Sequence, residues 1–244
     1  MNDDLKNIKF SPILDYNYAP LFEEVKYNGK TLTDSERKEF VTMIDKTIAE
    51  FSSELPVIYN ILKNNKQQDD EYHKTYYTVV SVMLFVVMTM IDSMVASKYF
   101  ILANVDYDRR FMRGKLKVII NEGFKRLYGF DNSTNKKSEW NRLPPILRYF
   151  PEVIKSQYND LTCRLKQHSE SSSWWKEERN LETHIDAENL YESRQEEIIE
   201  SKVMMDSMKL YSTLLAVKIF LTNIHDCIYK SLLKKYNRGE LTEE

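Results

Sequence analysis

A histidine, an arginine and an amide side chain stand close together in one stretch of this sequence. Residues 174–186 read Trp-Trp-Lys-Glu-Glu-Arg-Asn-Leu-Glu-Thr-His-Ile-Asp, which includes Arg179, Asn180 and His184. Histidine can take or give a proton near neutral pH, and the planar guanidinium of arginine matches the oxygens of a phosphate. This set suits RNA cleavage in which the RNA's own 2′-hydroxyl attacks the neighbouring phosphate, without a metal ion.

The spacing of these residues limits how they can meet a substrate. Arg179 and His184 are offset by roughly 140° around a helix, whereas Asn180 and His184 are neighbours on one face. The arginine and the histidine would therefore converge on a phosphate across a cleft, at a helix end or opposite a second copy of the chain. A surface salt-bridge cluster is the competing interpretation, because acidic residues surround the pair: Glu177, Glu178, Glu182, Asp186 and Glu188.

Long helices are predicted to position this stretch. Five glycines and six prolines in 244 residues are few for a chain with many tight turns, so the composition favours helices over strands. Thr33 followed by Glu36 forms a capping-box pattern, which predicts a helix start. Apolar residues then recur at three- and four-residue steps up to Leu55. Pro56 suits the first turn of a second, short helix over 56–64.

The run from Val79 to Ala96 is the most apolar in the chain. Its length approaches the ~20 residues of a membrane span, but polar residues interrupt it and the mean hydropathy of the chain is −0.53. We therefore expect the buried central helix of a bundle and no membrane partner. Asp92 lies inside this run and is expected to need a buried partner, because an unpaired interior carboxylate is unfavourable. A small-ligand site around Asp92 is a third, weaker interpretation.

Further segments complete the predicted bundle. An apolar segment that ends at Leu127 predicts a helix closed by Gly129, and 131–143 is predicted to be a polar loop. A helix follows, with Pro151 at its start or at a kink. The last long helix carries a seam with a spacing of seven and then alternating spacings of four and three: Val203, Leu210, Leu214, Val217, Leu221, Ile224 and Ile228.

A single all-α domain follows from this pattern. We expect an irregular N-terminal arm over 1–32, one multi-helix bundle over 33–236 and a frayed tail over 237–244. Neither a convincing strand nor an internal repeat is present in the sequence.

Charge divides unevenly along the chain. The net charge of −2 excludes general polyanion binding by the whole chain, but eleven Lys/Arg stand against five Asp/Glu between Asp106 and Arg148. Arg109, Arg110 and Arg113 are the candidate phosphate contacts in this basic segment. A solvated helix face is the alternative interpretation.

The two cysteines, Cys163 and Cys227, lie inside apolar-periodic segments without paired spacing. This pattern fits small buried side chains in a reducing compartment rather than a disulfide framework or a metal site. The first residues show no secretory signal pattern, so we expect a cytoplasmic protein. Neither a metal nor another cofactor is expected.

The sequence Arg-Asn-Leu-Glu-Thr-His over residues 179–184 resembles the Arg-x(4–6)-His signature of the HEPN superfamily, in which a polar residue often follows the arginine. The resemblance implies an all-α fold with a core of about four long helices. It also implies a homodimer in which two motifs face one cleft, and metal-independent RNA cleavage in toxin–antitoxin, abortive-infection or other defence systems. Arg179 and His184 would be catalytic, and Asn180 would support them.

Two functional hypotheses follow from these observations. The first is a HEPN-like metal-independent endoribonuclease that acts as a homodimer, with Arg179 and His184 at an RNA phosphate and a cognate antitoxin or regulator as a further partner. The alternative is a non-catalytic helical module of such a system that binds a protein or RNA partner, in which the basic segment would matter more than His184. RNA cleavage that His184→Ala abolishes would favour the first hypothesis. Steeply salt-dependent RNA binding without cleavage would favour the second.

Overall fold

The computed structural model describes residues 33–67, 70–171, 191–192 and 200–237, and these residues form a helical bundle without any strand among them. The predicted all-α class is confirmed. The expected arm over 1–32 lies outside the described residues, as does 238–244 of the expected tail. Seven α-helices are defined in the described ranges, with a 3₁₀ helix (Trp140–Arg142) between the fourth and the fifth: α1 (Asp34–Asn65), α2 (Glu71–Leu102), α3 (Asp106–Leu127), α4 (Asn132–Lys136), α5 (Pro144–Leu147), α6 (Glu152–Ser171) and α7 (Glu200–Asn237).

The start of α1 carries the predicted capping box. The backbone N–H of Glu36 donates to the Thr33 hydroxyl at 3.3 Å, and the backbone N–H of Thr33 donates to the Glu36 carboxylate at 2.7 Å. Two backbone donors that the helix itself leaves unsatisfied are bonded in this way. The predicted position of the first helix start is therefore confirmed.

Pro56 does not begin a second helix, so that prediction is wrong. It lies inside α1, which runs through it without a break. Proline cannot donate to the carbonyl four residues earlier, which belongs to Ser52. Both residues are exposed, so water can bond that carbonyl, while Phe51 and Ile58 on either side are buried and hold α1 against the core.

Helix α2 is the central element of the bundle. It packs against α1, α3 and α7, and the predicted apolar run from Val79 to Ala96 is its middle part. The side chain of Asp70 caps its first turn by accepting the backbone N–H groups of Tyr72 and His73. By length and composition α2 could cross a membrane, but 61% of its most apolar window is buried inside the bundle. A buried core helix passes the same test of length and composition.

Helices α2 and α7 run antiparallel. The hydroxyls of Ser97 and Ser207 lie 2.6 Å apart near one end of the pair, and the Tyr72 hydroxyl donates to the Ile228 carbonyl near the other. Every residue of the predicted α7 seam is buried, which confirms that this seam faces the core.

The connection from α3 to α6 contains more structure than the sequence predicts. Gly129 follows α3 with a φ of 91°, as expected for a residue that closes a helix. The predicted polar loop over 131–143 is wrong, because it contains α4 and the 3₁₀ helix. Trp140 within it is only 1% exposed, and its indole N–H donates to the Thr162 hydroxyl at 2.9 Å. This tryptophan anchors the connection to α6.

Helix α6 begins immediately after Pro151, so the prediction of a helix start at this proline is confirmed. The backbone N–H of Ile154 donates to the Pro151 carbonyl at 3.1 Å. Ile154, Leu161 and Leu165 are fully buried on one face of α6, which packs against α7.

Candidate functional sites

The predicted catalytic residues Arg179 and His184 and the supporting Asn180 lie outside the described residues. In the sequence they fall between the end of α6 and the start of α7. The motif therefore precedes the last long helix in the chain, as expected.

The three arginines predicted to contact phosphate are held by the protein's own groups. The Nη2 atom of Arg109 donates to the Ala103 carbonyl at 3.0 Å, and Nε of Arg110 donates to the Asp106 carboxylate at 2.7 Å. Arg113 is only 6% exposed, and Lys117, one turn further along α3, is also buried. Arg113 and Lys117 therefore do not lie on a solvated helix face.

Asp92 lies at the surface, so the expectation that it needs a buried partner is wrong. It lines an open groove of about 540 Å³ between α2 and α3, together with Met88, Ile119 and Glu122. Among the described residues no cation lies within 4.0 Å of its carboxylate. The apolar neighbours partly desolvate the carboxylate and raise the pKa of Asp92 above its usual value. The exposed surface of the groove is mostly apolar, and its polar side chains come from Ser81, Thr89, Asp92, Glu122 and Arg126.

A hydrogen-bonded cluster that the sequence did not predict lies between α2 and α7. The Nε2 atom of His225 is 2.7 Å from the Tyr76 hydroxyl, and its Nδ1 atom is 3.3 Å from the Asp226 carboxylate. The Tyr229 ring lies nearly parallel to the imidazole, with ring centroids 6.3 Å apart. Burial raises the pKa of Tyr76 to about 12, with smaller contributions from Tyr229 and Asp226. Tyr76 therefore stays protonated at neutral pH.

The open side of this cluster borders a second groove of about 450 Å³ between α1, α2 and α7. Lys218 in this groove pairs with Glu54 at 3.0 Å and lies 4.9 Å from the centre of the Phe51 ring. The cation is thus neutralised inside the protein. His225 and Asp226 could pass a proton between them, but the buried Tyr76 hydroxyl is not among the groups lining the groove. The geometry supports a structural polar network more directly than a reaction centre.

The sequence alone could indicate only part of this hydrogen-bonded cluster. His225 and Asp226 are adjacent, and Tyr229 follows one helical turn later. Tyr76 is 149 residues away, so its contact depends on the packing of α2 against α7. No local pattern could have identified that partner.

His168 on α6 is a further titratable group in the described structure. Its ring packs edge-on against Phe124 of α3, with centroids 5.7 Å apart. Burial lowers the pKa of His168 to about 4, with a smaller contribution from the positive charge of Lys209 on α7. The imidazole is therefore neutral at physiological pH.

The two cysteines are free but differ in environment. Cys227 is buried as expected, and burial raises its pKa to about 12. Cys163 is exposed, so the prediction of a buried side chain is wrong for it. Within the described part of the chain, no three His, Cys, Asp or Glu residues form a group that could hold a metal ion.

No protein-family model, curated protein sequence or solved structure matches this chain. The fold defines an all-α, multi-helix bundle protein.

Proposed function

We propose that this protein is a HEPN-like, metal-independent endoribonuclease that acts as a homodimer. His184 takes a proton from a ribose 2′-hydroxyl or returns one to the leaving 5′-oxygen, and Arg179 stabilises the charge on the phosphoryl oxygens. Asn180 orients the imidazole or holds a phosphate oxygen. The observation that carries the proposal is the Arg179-to-His184 sequence, located ahead of the last long helix in an all-α chain.

The described structure gives less support to RNA binding through the basic segment alone. Arg113 and Lys117 are buried, Arg109 is bonded to the carbonyl of Ala103 at the end of α2, and Arg110 is bonded to Asp106 at the start of α3. Fewer cations are therefore available to phosphates than the count of eleven suggests. The non-catalytic RNA-binding alternative is the weaker proposal for this reason.

The test is RNA cleavage by the purified full chain in the presence of a chelator. We expect cleavage that leaves a 2′,3′-cyclic phosphate on one product, because the attacking nucleophile is the ribose 2′-hydroxyl. His184→Ala and Arg179→Ala should each reduce the rate by at least about 100-fold. His73→Ala is the matched control, because His73 lies in the first turn of α2 beside Asp70 and should leave the rate unchanged. Cleavage that persists in folded His184→Ala protein would overturn the proposal.

A further inference from the structure

One face of α2 reaches the surface between its packing partners and carries apolar side chains. Met88 is 50% exposed, Tyr99 54% and Leu102 46%. A helix that is buried only by its own bundle has a polar outer face. The residues of this face, which we name the α2 stripe, follow alternating steps of four and three: Phe85, Met88, Asp92, Val95, Tyr99 and Leu102.

This alternation is the spacing by which one helix packs along another helix. Residues at steps of four and three stay on one side of a helix that supercoils with a partner. The stripe spans about 26 Å along the helix axis, which is nearly five helical turns. Among the described helices, α1, α3 and α7 pack on other parts of α2 and leave the stripe at least partly open. The stripe therefore has the pattern of a helix-packing seam that none of the described helices fully covers.

The stripe is complementary to itself when two copies run antiparallel. In one register, Phe85 meets the partner's Leu102, Met88 meets the partner's Tyr99, and Asp92 meets the partner's Val95. The two-fold axis passes α2 between positions 93 and 94, and each contact occurs twice, as a two-fold interface requires. All six positions are matched in this single register. A parallel pairing instead places each residue opposite its own copy, so two Asp92 carboxylates would meet inside an apolar seam, which is unfavourable.

Charge also favours the antiparallel pairing. Asp92 has no cation within 4.0 Å among the described residues of its own chain. Helix α3 runs antiparallel beside α2, since a Cβ built on Gly123 would lie 2.8 Å from the Thr89 methyl group and Ile119 shares the groove with Asp92. Continuing this alignment by one further turn places the exposed Lys115 at about the level of positions 96 and 97 of α2. The partner's Asp92 would lie opposite Val95, within reach of this lysine.

We propose that the α2 stripe is a homodimer interface, in which α2 of one copy packs antiparallel against α2 of a second copy. Phe111 and Tyr107 of α3, which are 40% and 62% exposed, extend the apolar surface beside the end of the stripe at Leu102. This interface would form the homodimer of the proposed ribonuclease, so the inference rests on the proposed function. Its evidence comes from α2 and α3 alone.

The first experiment measures the mass of the full chain in solution by light scattering from about 1 to about 100 µM. We expect twice the 29.1 kDa of one chain. Met88→Lys combined with Tyr99→Lys should return the mass to that of one chain, because these two positions face each other across the seam. Met43→Lys combined with Tyr59→Lys is the matched control, since these α1 side chains are equally exposed, at 54% and 56%, and lie off the stripe. The control should remain a dimer.

The second experiment tests the register with a disulfide and does not depend on the lysine variants folding. In a Cys163→Ser background, Met88→Cys with Tyr99→Cys should give a covalent dimer on oxidation, and neither single variant should. The two positions are about 16 Å apart along one helix, so they cannot bridge within one chain. A covalent dimer from Met88→Cys alone would indicate parallel pairing and overturn the proposed interface.

Other results would also overturn the interface. A wild-type monomer at every concentration would do so, as would a dimer that survives Met88→Lys with Tyr99→Lys. A monomer that floats with phosphatidylcholine–phosphatidylglycerol vesicles, and loses this binding in the same variant, would assign the stripe to a lipid surface instead. RNA cleavage is measured on the same samples. A dimer with the predicted register that cleaves no RNA supports the interface and contradicts the ribonuclease. A cleaving monomer supports RNA cleavage but contradicts both the interface and the dimeric form of the proposed enzyme.

Discussion

The imidazole of His225 on α7 and the Tyr76 hydroxyl of α2 share a hydrogen bond across 2.7 Å. Burial raises the pKa of Tyr76 to about 12, so its hydroxyl keeps the proton at neutral pH. A protonated hydroxyl can both donate and accept, so the direction of this bond follows the tautomer of the imidazole, whose Nδ1 atom faces the Asp226 carboxylate at 3.3 Å. This bond joins two helices that are distant in the sequence, inside the bundle.

Tyr76→Phe should lower the free energy of unfolding by about 1–2 kcal/mol, because it leaves the Nε2 atom of His225 without its partner. Tyr77→Phe is the control, since Tyr77 is the next residue of α2 and is only half-buried. Urea unfolding followed by circular dichroism measures both variants. Equal stability of Tyr76→Phe and wild type would show that the hydrogen bond contributes nothing to the packing of α2 on α7.

His168 should make the protein less stable as the pH falls. Its pKa is about 4 in the folded protein and about 6.5 in the unfolded chain, so the fold favours the neutral ring. The stabilisation is complete above pH 6.5 and is lost progressively as the pH falls from about 6.5 to about 4, by roughly 3 kcal/mol in total.

His168→Gln removes this titration and should flatten that part of the stability curve. Asp92 and Asp206, whose pKa values are raised by burial, act in the opposite direction but are present in both proteins. The difference between the two unfolding free energies, measured by urea titration from pH 4 to pH 7.5, therefore isolates His168. A constant difference over this range would contradict the lowered pKa of His168.

Pro56→Ala should raise the free energy of unfolding by about 2 kcal/mol. Alanine restores the N–H that the Ser52 carbonyl lacks inside α1, although the freer unfolded chain offsets part of this gain. Pro151→Ala is the matched control, because Pro151 precedes α6 and no helical hydrogen bond is missing there. Thermal and urea unfolding of the two variants provide the comparison, and a destabilised Pro56→Ala protein would contradict the expectation.

The sequence predicted those parts of the fold that depend on local periodicity and capping. The seam from Val203 to Ile228, the capping box at Thr33 and the helix closure at Gly129 all depend on residues close together in the chain. Their physical causes act over one or two helical turns. These predictions therefore needed no knowledge of tertiary packing.

The remaining features depend on which helices become neighbours. Asp92 lies within an apolar run, but it faces outward because α1, α3 and α7 occupy other sides of α2. Trp140 is surrounded by polar residues in the sequence and becomes buried against Tyr158 and Phe220. The hydrophobicity of a sequence segment is an average over all sides of the helix. It cannot show which side a given side chain occupies.

The central position of α2 also sets an order for folding. Its contacts with α1 and α3 join segments that are adjacent in the chain, whereas its contacts with α7 close loops of more than a hundred residues. Short loops close at a smaller loss of chain entropy, so the three-helix unit over 34–127 can assemble first. The apolar side of α2 that receives α7 stays exposed to water until residues 200–237 leave the ribosome. During synthesis this side is the surface that a chaperone would protect.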